Sequence, residues 1–318
     1  MSHSTLQPPT VGGRASRHEL PEAARQKISN VKAIPAMPAI LMPLLDLLQK
    51  PTDQVPIDEV VRLVSYDKTI AAQCLRIAGS PLFGLSRAPE TIRSAVISMG
   101  VTRLKDVVLT FSLGQILPAE KFVIDPAIFW RHSLGCALVC RKFCELTGAI
   151  SPEKAYLAGL LHDLGIIVNF MVFPQESARA IELGQTGHIP LHEAEHATMG
   201  FSHCETGRVL AEAWRLPDEM REAIACHHDL DMSKQAAALV AVVHLSDMLC
   251  RMRDMGYGYY ESRRVDFMDN PAWNILSEAD SKVGRIDLER FTFEMDEAAA
   301  DVAILVDNVF AGKPARQQ

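Results

Sequence analysis

The strongest constraint on how this chain can fold is a set of histidines and aspartates embedded in apolar, helix-periodic stretches of its second half. They are His132, the pair His162-Asp163, His203, the pair His227-His228, and Asp247. Helices patterned this way bury one face, and a buried imidazole or carboxylate without a partner is costly. Several of these side chains can satisfy one another by meeting around a metal ion. Imidazole nitrogen with carboxylate oxygen suits Fe, Mn, Zn or Mg, according to geometry. Leu160, Leu161 and Leu164 flank the first pair and place it on a buried helix, spanning Pro152 to Val168, where a charged Asp163 needs a cation or strong donors. Neighbouring residues on a helix diverge by about 100°. His162 and Asp163 therefore cannot share one narrow core stripe, but both can reach an ion at the side of their helix. The same holds for His227-His228, just before a helix end at Asp229-Leu230.

The chain has 318 residues, 48% of them hydrophobic, enough for two domains or one large helical domain with two lobes. A net charge of −7 argues against nucleic acid as a partner. The longest apolar run, Ala236 to Val243, is too short to cross a membrane, and the N-terminus lacks the apolar core of a signal peptide. Seven cysteines do not form a disulfide framework; Cys136, Cys140 and Cys144 recur at helical spacing and read as small buried hydrophobes. The cytoplasm is the expected compartment.

No window shows the two-residue alternation of a sheet, so the expected fold is all-α. Residues 1–19 read as a disordered leader, 20–118 as a first helical lobe and 119–318 as a second, with a junction at Pro118 to Pro126. In the first lobe, Leu41, Leu44, Leu45 and Leu48 form a stripe stopped by Pro51. Helices follow from Ile57, over Thr69–Ala78, over Glu90–Met99, and over Val101–Leu117. In the second, helices are expected over Ile128–Thr147, Pro152–Val168, Gln175–Leu183, Leu191–Met199, His203–Trp214, Pro217–His227 and Lys234–Met252. Closing helices lie at Asn274–Leu276 and Ile286–Val309. Met255-Gly-Tyr-Gly-Tyr-Tyr reads as a loop open to close backbone approach.

The histidines and aspartates, in this order, resemble the HD superfamily of metal-dependent phosphohydrolases. Ala36-Met-Pro-Ala-Ile, Asp67-Lys-Thr-Ile-Ala, Ile77-Ala-Gly-Ser-Pro-Leu-Phe-Gly-Leu-Ser and Ile92-Arg-Ser-Ala-Val-Ile-Ser-Met-Gly are similar to the first lobe of the HDOD signalling domain. Phe129-Trp-Arg-His132-Ser, Leu160-Leu-His162-Asp163-Leu-Gly, His203-Cys-Glu-Thr-Gly207, Trp214-Arg-Leu-Pro217 and His227-His228 continue the resemblance, which runs from about Asn30 to Cys250. It implies a two-lobed HDOD fold with an HD-type bundle in the C-terminal lobe. By the same resemblance to the HD-GYP cyclic-dinucleotide phosphodiesterases, His132, His162, Asp163, His203, His227, His228 and Asp247 fall on metal-ligand positions. Asp163 would be the bridging carboxylate, and His162 with Asp163 the catalytic pair. The implied cofactor is a divalent metal, dinuclear, with Fe or Mn favoured and Mg, Zn or Ni as alternatives. Three positions depart from the HD-GYP pattern: Ile166 replaces a lysine, Leu230-Asp-Met-Ser replaces the Gly-Tyr-Pro signature, and Ile128 replaces a carboxylate.

Outside this set, His188, His192, His196 and His244 read as structural or exposed, and Glu193, Glu195 and Glu205 as solvated helix-face charges. Arg76 and Arg103 read as surface ion-pair partners, although a guanidinium can fork a phosphate. Two functions follow from the resemblance. One is a signal-transduction module with a retained metal site, acting through a signalling protein partner or a nucleotide-type ligand. The other is a metal-dependent phosphohydrolase acting on nucleotide or cyclic-dinucleotide phosphoesters.

Overall fold

The structure is a computed structural model that describes residues 19–30, 36–48, 54–80, 87–114, 116, 124–253, 255–257, 267, 269–280, 282–287, 291, 302, 303 and 306. The leader, the junction segment 117–123, the loop residues 81–86, residues 258–260 and nearly all of the closing helix at 286–309 lie outside the described residues. The described residues are helical and contain no strand. The first six helices are α1 (Glu22–Asn30), α2 (Leu41–Leu48), α3 (Ile57–Ser65), α4 (Lys68–Ala78), α5 (Ile92–Met99) and α6 (Val101–Gly114). The others are α7 (Pro126–Thr147), α8 (Pro152–Leu161), α9 (Leu164–Val172), α10 (Pro174–Gly187), α11 (Leu191–Met199), α12 (His203–Ala213), α13 (Asp218–Cys226), α14 (Ala237–Met252) and α15 (Ala272–Ala279).

Local chemistry sets many of these ends. Asp67 caps α4 by accepting from the N–H groups of Thr69 and Ile70 at 2.8 and 3.1 Å. Thr91 and Ser94 form a capping box that starts α5 at Ile92, two residues later than the sequence suggests. Asp125 and Ser151 cap α7 and α8, each followed by proline at the first helical position. Helix α14 starts at Ala237 rather than Lys234. The Glu222 carboxylate captures the N–H groups of Lys234, Gln235 and Ala236 at 3.0–3.1 Å and holds that stretch out of the helix. Helix α10 continues past Leu183 to Gly187 and stops where His188 turns left-handed at φ 51°. Helix α6 ends at Gly114, short of the expected Leu117.

Helices α2 to α6 pack on one another as the first lobe, and α7 to α15 form the second around α7, α8 and α14. Helix α1 lies against α9 of the second lobe, with Lys27 Nζ 4.5 Å above the Phe173 ring and Arg25 3.9 Å from Glu212. A buried ion pair ties the lobes together: Asp106 of α6 takes both Nη atoms of Arg141 of α7, one at 2.6 Å. The same guanidinium covers the Tyr156 ring at 4.0 Å.

One apolar stretch is longer than the sequence reading allows. Pro152–Val172 has the length and composition of a membrane span, yet its most apolar 18-residue window is 94% buried inside the fold. It is the central core segment of the second lobe, and the chain bends within it at His162-Asp163, between α8 and α9.

Candidate metal centre

The bend at His162-Asp163 corrects the expectation of one helix through the pair. Helix α8 ends at Leu161, His162 keeps helical angles, and Asp163 moves to φ −100°, ψ 12°, a region that breaks the helix. The Asp163 carboxylate caps nothing on α9 and is free to point inward. Ending a helix also frees carbonyls. His162 Nδ1 donates to Gly159 O at 2.7 Å, three residues back. The second pair repeats the device: α13 ends at Cys226, and His227 Nδ1 donates to Ile224 O at 2.9 Å. Each helix end thus fixes its own imidazole with Nε2 facing the interior.

Two glycines let the remaining elements approach. A Cβ on Gly165 would lie 1.8 Å from His203 O, and one on Gly207 would lie 2.7 Å from an Ile224 methyl. Helices α9 and α12 cross backbone to backbone here, with Thr206 Oγ1 donating to Gly165 O at 3.2 Å. This crossing carries His203, at the start of α12, up to Asp163.

The result is a closed cage. The two Asp163 oxygens face opposite ways. Oδ2 lies 3.4 Å from His132 Nε2 and 3.0 Å from His162 Nε2, while Oδ1 lies 3.2 Å from His203 Nε2 and 3.3 Å from His227 Nε2. Asp247 Oδ1 stands 3.2 Å from His132 Nε2. His228 sits at the rim, with Nδ1 3.8 Å from Asp247 Oδ2 and its ring stacked on His192 at 4.0 Å. The other six predicted residues are at most 3% exposed. All seven meet, on α7, the α8–α9 bend, α12, the end of α13, and α14.

The donor chemistry fits a cation. His132, His162 and His227 each give their Nδ1 proton to a backbone carbonyl, and His203 gives its own to the Glu195 carboxylate at 2.6 Å. A neutral imidazole that donates through Nδ1 presents a lone pair at Nε2. Four such lone pairs converge, with Nε2···Nε2 separations of 3.3 Å for His132–His162 and 3.4 Å for His203–His227. Asp163 Oδ1 accepts no hydrogen bond although the residue is buried. Lone pairs facing lone pairs at these distances require protons or cations between them.

Without a cation, protons fill that need. Burial lowers the affinity of His132 for a proton, but hydrogen bonds and charge from Asp163 and Asp247 outweigh it and hold the ring well above its ordinary pKa. His203 is raised against burial by Glu195 and then Cys204, and His227 is raised against burial to about 10 by Cys204 and Asp163. Asp163 is held well below the carboxylate range, against burial, by His162 and His203. A divalent ion entering the cage displaces protons from these raised groups, so its affinity strengthens as pH rises. Mn²⁺ affinity is expected to climb about tenfold per pH unit for each proton displaced. Calorimetric titration at several pH values, in buffers of differing ionisation heat, measures both the slope and the proton release.

Several residues take parts that the sequence reading does not give them. Glu195 and Glu205 are buried, at 2% and 6% exposure, rather than solvated. Glu195 accepts from His203 N, His203 Nδ1 and Asn169 Nδ2 at 2.9, 2.6 and 2.8 Å, and so orients His203. It shares the apolar face of α11 with Leu191 and Ala194, a spacing visible in the sequence. Glu205 closes a capping box with Ser202, also readable as Ser-x-x-Glu. Arg251, one turn after Asp247, bonds it at 2.6 Å. Tyr257 donates its hydroxyl to Asp163 Oδ2, and Met255 O receives His132 Nδ1 at 2.9 Å, so the turn after α14 folds back over the cage. Cys204 places Sγ 4.0 Å from His227 Nδ1. His244 Nδ1 donates to His227 O at 2.7 Å, a structural role. Replacing Glu195 by glutamine is expected to weaken metal binding by about 10- to 100-fold while leaving the helical circular dichroism unchanged. A metal titration against a chelating dye would read this loss.

The departures from the HD-GYP pattern have clear positions. Ile166, in place of the lysine, is fully buried in α9. Ile128 is half-buried on the first turn of α7.

Comparison with known proteins agrees with this architecture. The HDOD domain profile matches residues 34–230. An HDOD domain protein of unknown function from Geobacter sulfurreducens is 30% identical in sequence. It superposes with a TM-score of 0.77 over 90% of this chain and 96% of its own. A candidate phosphohydrolase from Shewanella amazonensis, 19% identical, shares the fold with a TM-score of 0.67 over 92% of this chain and 99% of its own. An uncharacterized protein of Treponema pallidum is 25% identical over 224 residues, which are 70% of this chain and 43% of that protein; the chain thus spans less than half the length of that curated relative. The profile, the two-lobed helical fold and the order of the motifs agree: the chain belongs to the HDOD domain family.

Proposed function

We propose that this chain is an HDOD regulatory module organised around a dinuclear divalent-metal centre. The observation that carries this reading is the opposed placement of the two Asp163 oxygens, each facing its own pair of imidazole Nε2 atoms within 3.0–3.4 Å. In it, His132, His162, Asp247 and Asp163 would hold one ion, and His203, His227, His228 and Asp163 the other. Fe or Mn suits this mixed nitrogen and oxygen set. Burial supports regulation over turnover, because six of the seven donors are almost fully enclosed and a fully buried isoleucine stands where a lysine would meet phosphate. In this reading the metal pair cements five elements of the second lobe, and metal occupancy reaches a signalling partner through the helical surface. Tyr66, in the turn after α3, and Ile97 on the neighbouring α5, 88% and 67% exposed, offer apolar anchors for it.

Phosphoester hydrolysis is the second reading, favoured by the bridging position of Asp163. A metal pair there would supply an acidified water and neutralise phosphate charge. The chain's own contribution is to hold the ions, through Asp163 and the Nδ1-anchored histidines, and to offer Arg251 as a guanidinium beside the cage, paired with Asp247. Metal-loaded protein assayed on generic and cyclic-dinucleotide phosphoesters separates the two. The regulatory reading expects turnover no greater than that of Asp163→Ala. Turnover that this substitution abolishes would establish the enzyme instead.

A further inference from the structure

Cys204 stands at one half of the cage and has no part in the function proposed above. It lies in the first turn of α12, 7% exposed, next to His203 in sequence. One donor atom from each of His203, Cys204, His227 and His228 falls within 4.8 Å of the others. With zinc–nitrogen and zinc–sulfur bonds of about 2.0 and 2.3 Å, tetrahedral donors stand roughly 3.3–3.6 Å apart, so this set closes on an ion by contracting little more than about 1 Å. Cys204 Sγ stands 4.0 Å from the His227 ring at Nδ1, and a second observation bears on two members of the same set. Asp163 is 3% exposed, and its Oδ1 accepts no hydrogen bond, yet it lies 3.2 and 3.3 Å from the Nε2 atoms of His203 and His227. The opposite half, with His132, His162, Asp247 and Asp163 Oδ2, offers nitrogen and oxygen alone, plus the Tyr257 hydroxyl.

The two halves therefore differ in softness. We propose that Cys204 supplies a thiolate to the ion on the His203–His227–His228 side, making the metal pair chemically unequal. A thiophilic ion such as Zn²⁺ or Fe²⁺ occupies the sulfur side, and a harder ion such as Mn²⁺ suits the other. Among the described residues Cys204 is the cysteine that joins a group of metal donors. Cys136 and Cys140 instead direct Sγ at the carbonyls of Val243 and Val242 in the α7–α14 packing. Cys226, also buried, serves as the control.

This inference rests on the metal-cage reading, and cobalt distinguishes its failure from the failure of that reading. The metal-stripped full chain is titrated with Co²⁺, and bound cobalt is counted by elemental analysis. The near-ultraviolet spectrum is followed for thiolate-to-cobalt charge transfer. The expected result is bound Co²⁺ with such a band in the wild-type protein. Cys204→Ser should lose the band and bind the affected equivalent about tenfold or more weakly, while Cys226→Ser keeps both. No bound cobalt in the wild type overturns the cage and the thiolate together. Bound cobalt without the band, or a band that survives Cys204→Ser, overturns the thiolate alone. The wild-type spectrum decides even if a variant folds poorly.

Discussion

Alanine at Gly165 is expected to destroy the fold of the second lobe. Its methyl would sit 1.8 Å from His203 O and 2.6 Å from Gly207 N, both backbone atoms that no rotamer change can move. Relief requires α9 and α12 to separate by the width of a methyl group. That separation would break the Thr206–Gly165 hydrogen bond and pull His203 away from Asp163. The cost should exceed about 4 kcal/mol, the range of exceptional single substitutions, and appear as insoluble protein or a melting temperature lower by roughly 10 °C. Gly187→Ala is the matched control. It lies at the end of α10 with nothing nearer than 3.8 Å to the new methyl, and alanine there should be neutral or slightly stabilising. Thermal melts of the two variants beside the wild type decide the matter. A Gly165→Ala protein that melts like the wild type would mean that the α9–α12 crossing is looser than described.

Asp163→Ala is expected to abolish metal binding on both sides of the cage at once, whereas Asp247→Ala should empty one side. The difference follows from geometry. Asp163 faces four imidazoles, two per oxygen, while Asp247 approaches the cage through His132 and His228 and is partly engaged by Arg251. Removing Asp163 also leaves the raised imidazoles without their shared counter-charge inside the protein. Breaking a buried charge pair in this way costs about 3–5 kcal/mol. The metal-free variant should therefore melt well below metal-free wild type, in addition to losing metal-induced stabilisation. Elemental analysis and melting curves with and without Mn²⁺ measure both effects. Two equivalents retained in Asp163→Ala would remove the bridging role.

Much of this architecture is legible in the sequence, for reasons that particular elements make plain. Helices α3, α4 and α11 show in apolar periodicity bounded by Asp67, Gly79 and Gly200, which act locally. The order of the seven histidines and aspartates gives the family and the residues that converge. The bend at His162-Asp163 is not legible, because no glycine or proline marks it within Pro152–Val172. It is imposed by the packing of α9 on α12 through Gly165. Glu195 and Glu205 are legible in principle: one shares the buried face of α11, and the other completes a capping box. Tyr257 depends on the chain folding back after α14, a contact with His132 and Asp163 across about a hundred residues that local pattern does not carry. The thiol of Cys204 acquires meaning only once α12 and the end of α13 are side by side.

The central claim is that Asp163 is shared by two ions, each held by its own histidines. Anomalous diffraction from crystals of the metal-loaded protein, recorded on both sides of the metal's absorption edge, tests it most directly. The account predicts two peaks flanking the Asp163 carboxylate. One should lie within about 2.0–2.3 Å of His132 and His162 Nε2, the other equally close to His203 and His227 Nε2. A single peak bound to one carboxylate oxygen, or no peak among these side chains, would contradict it.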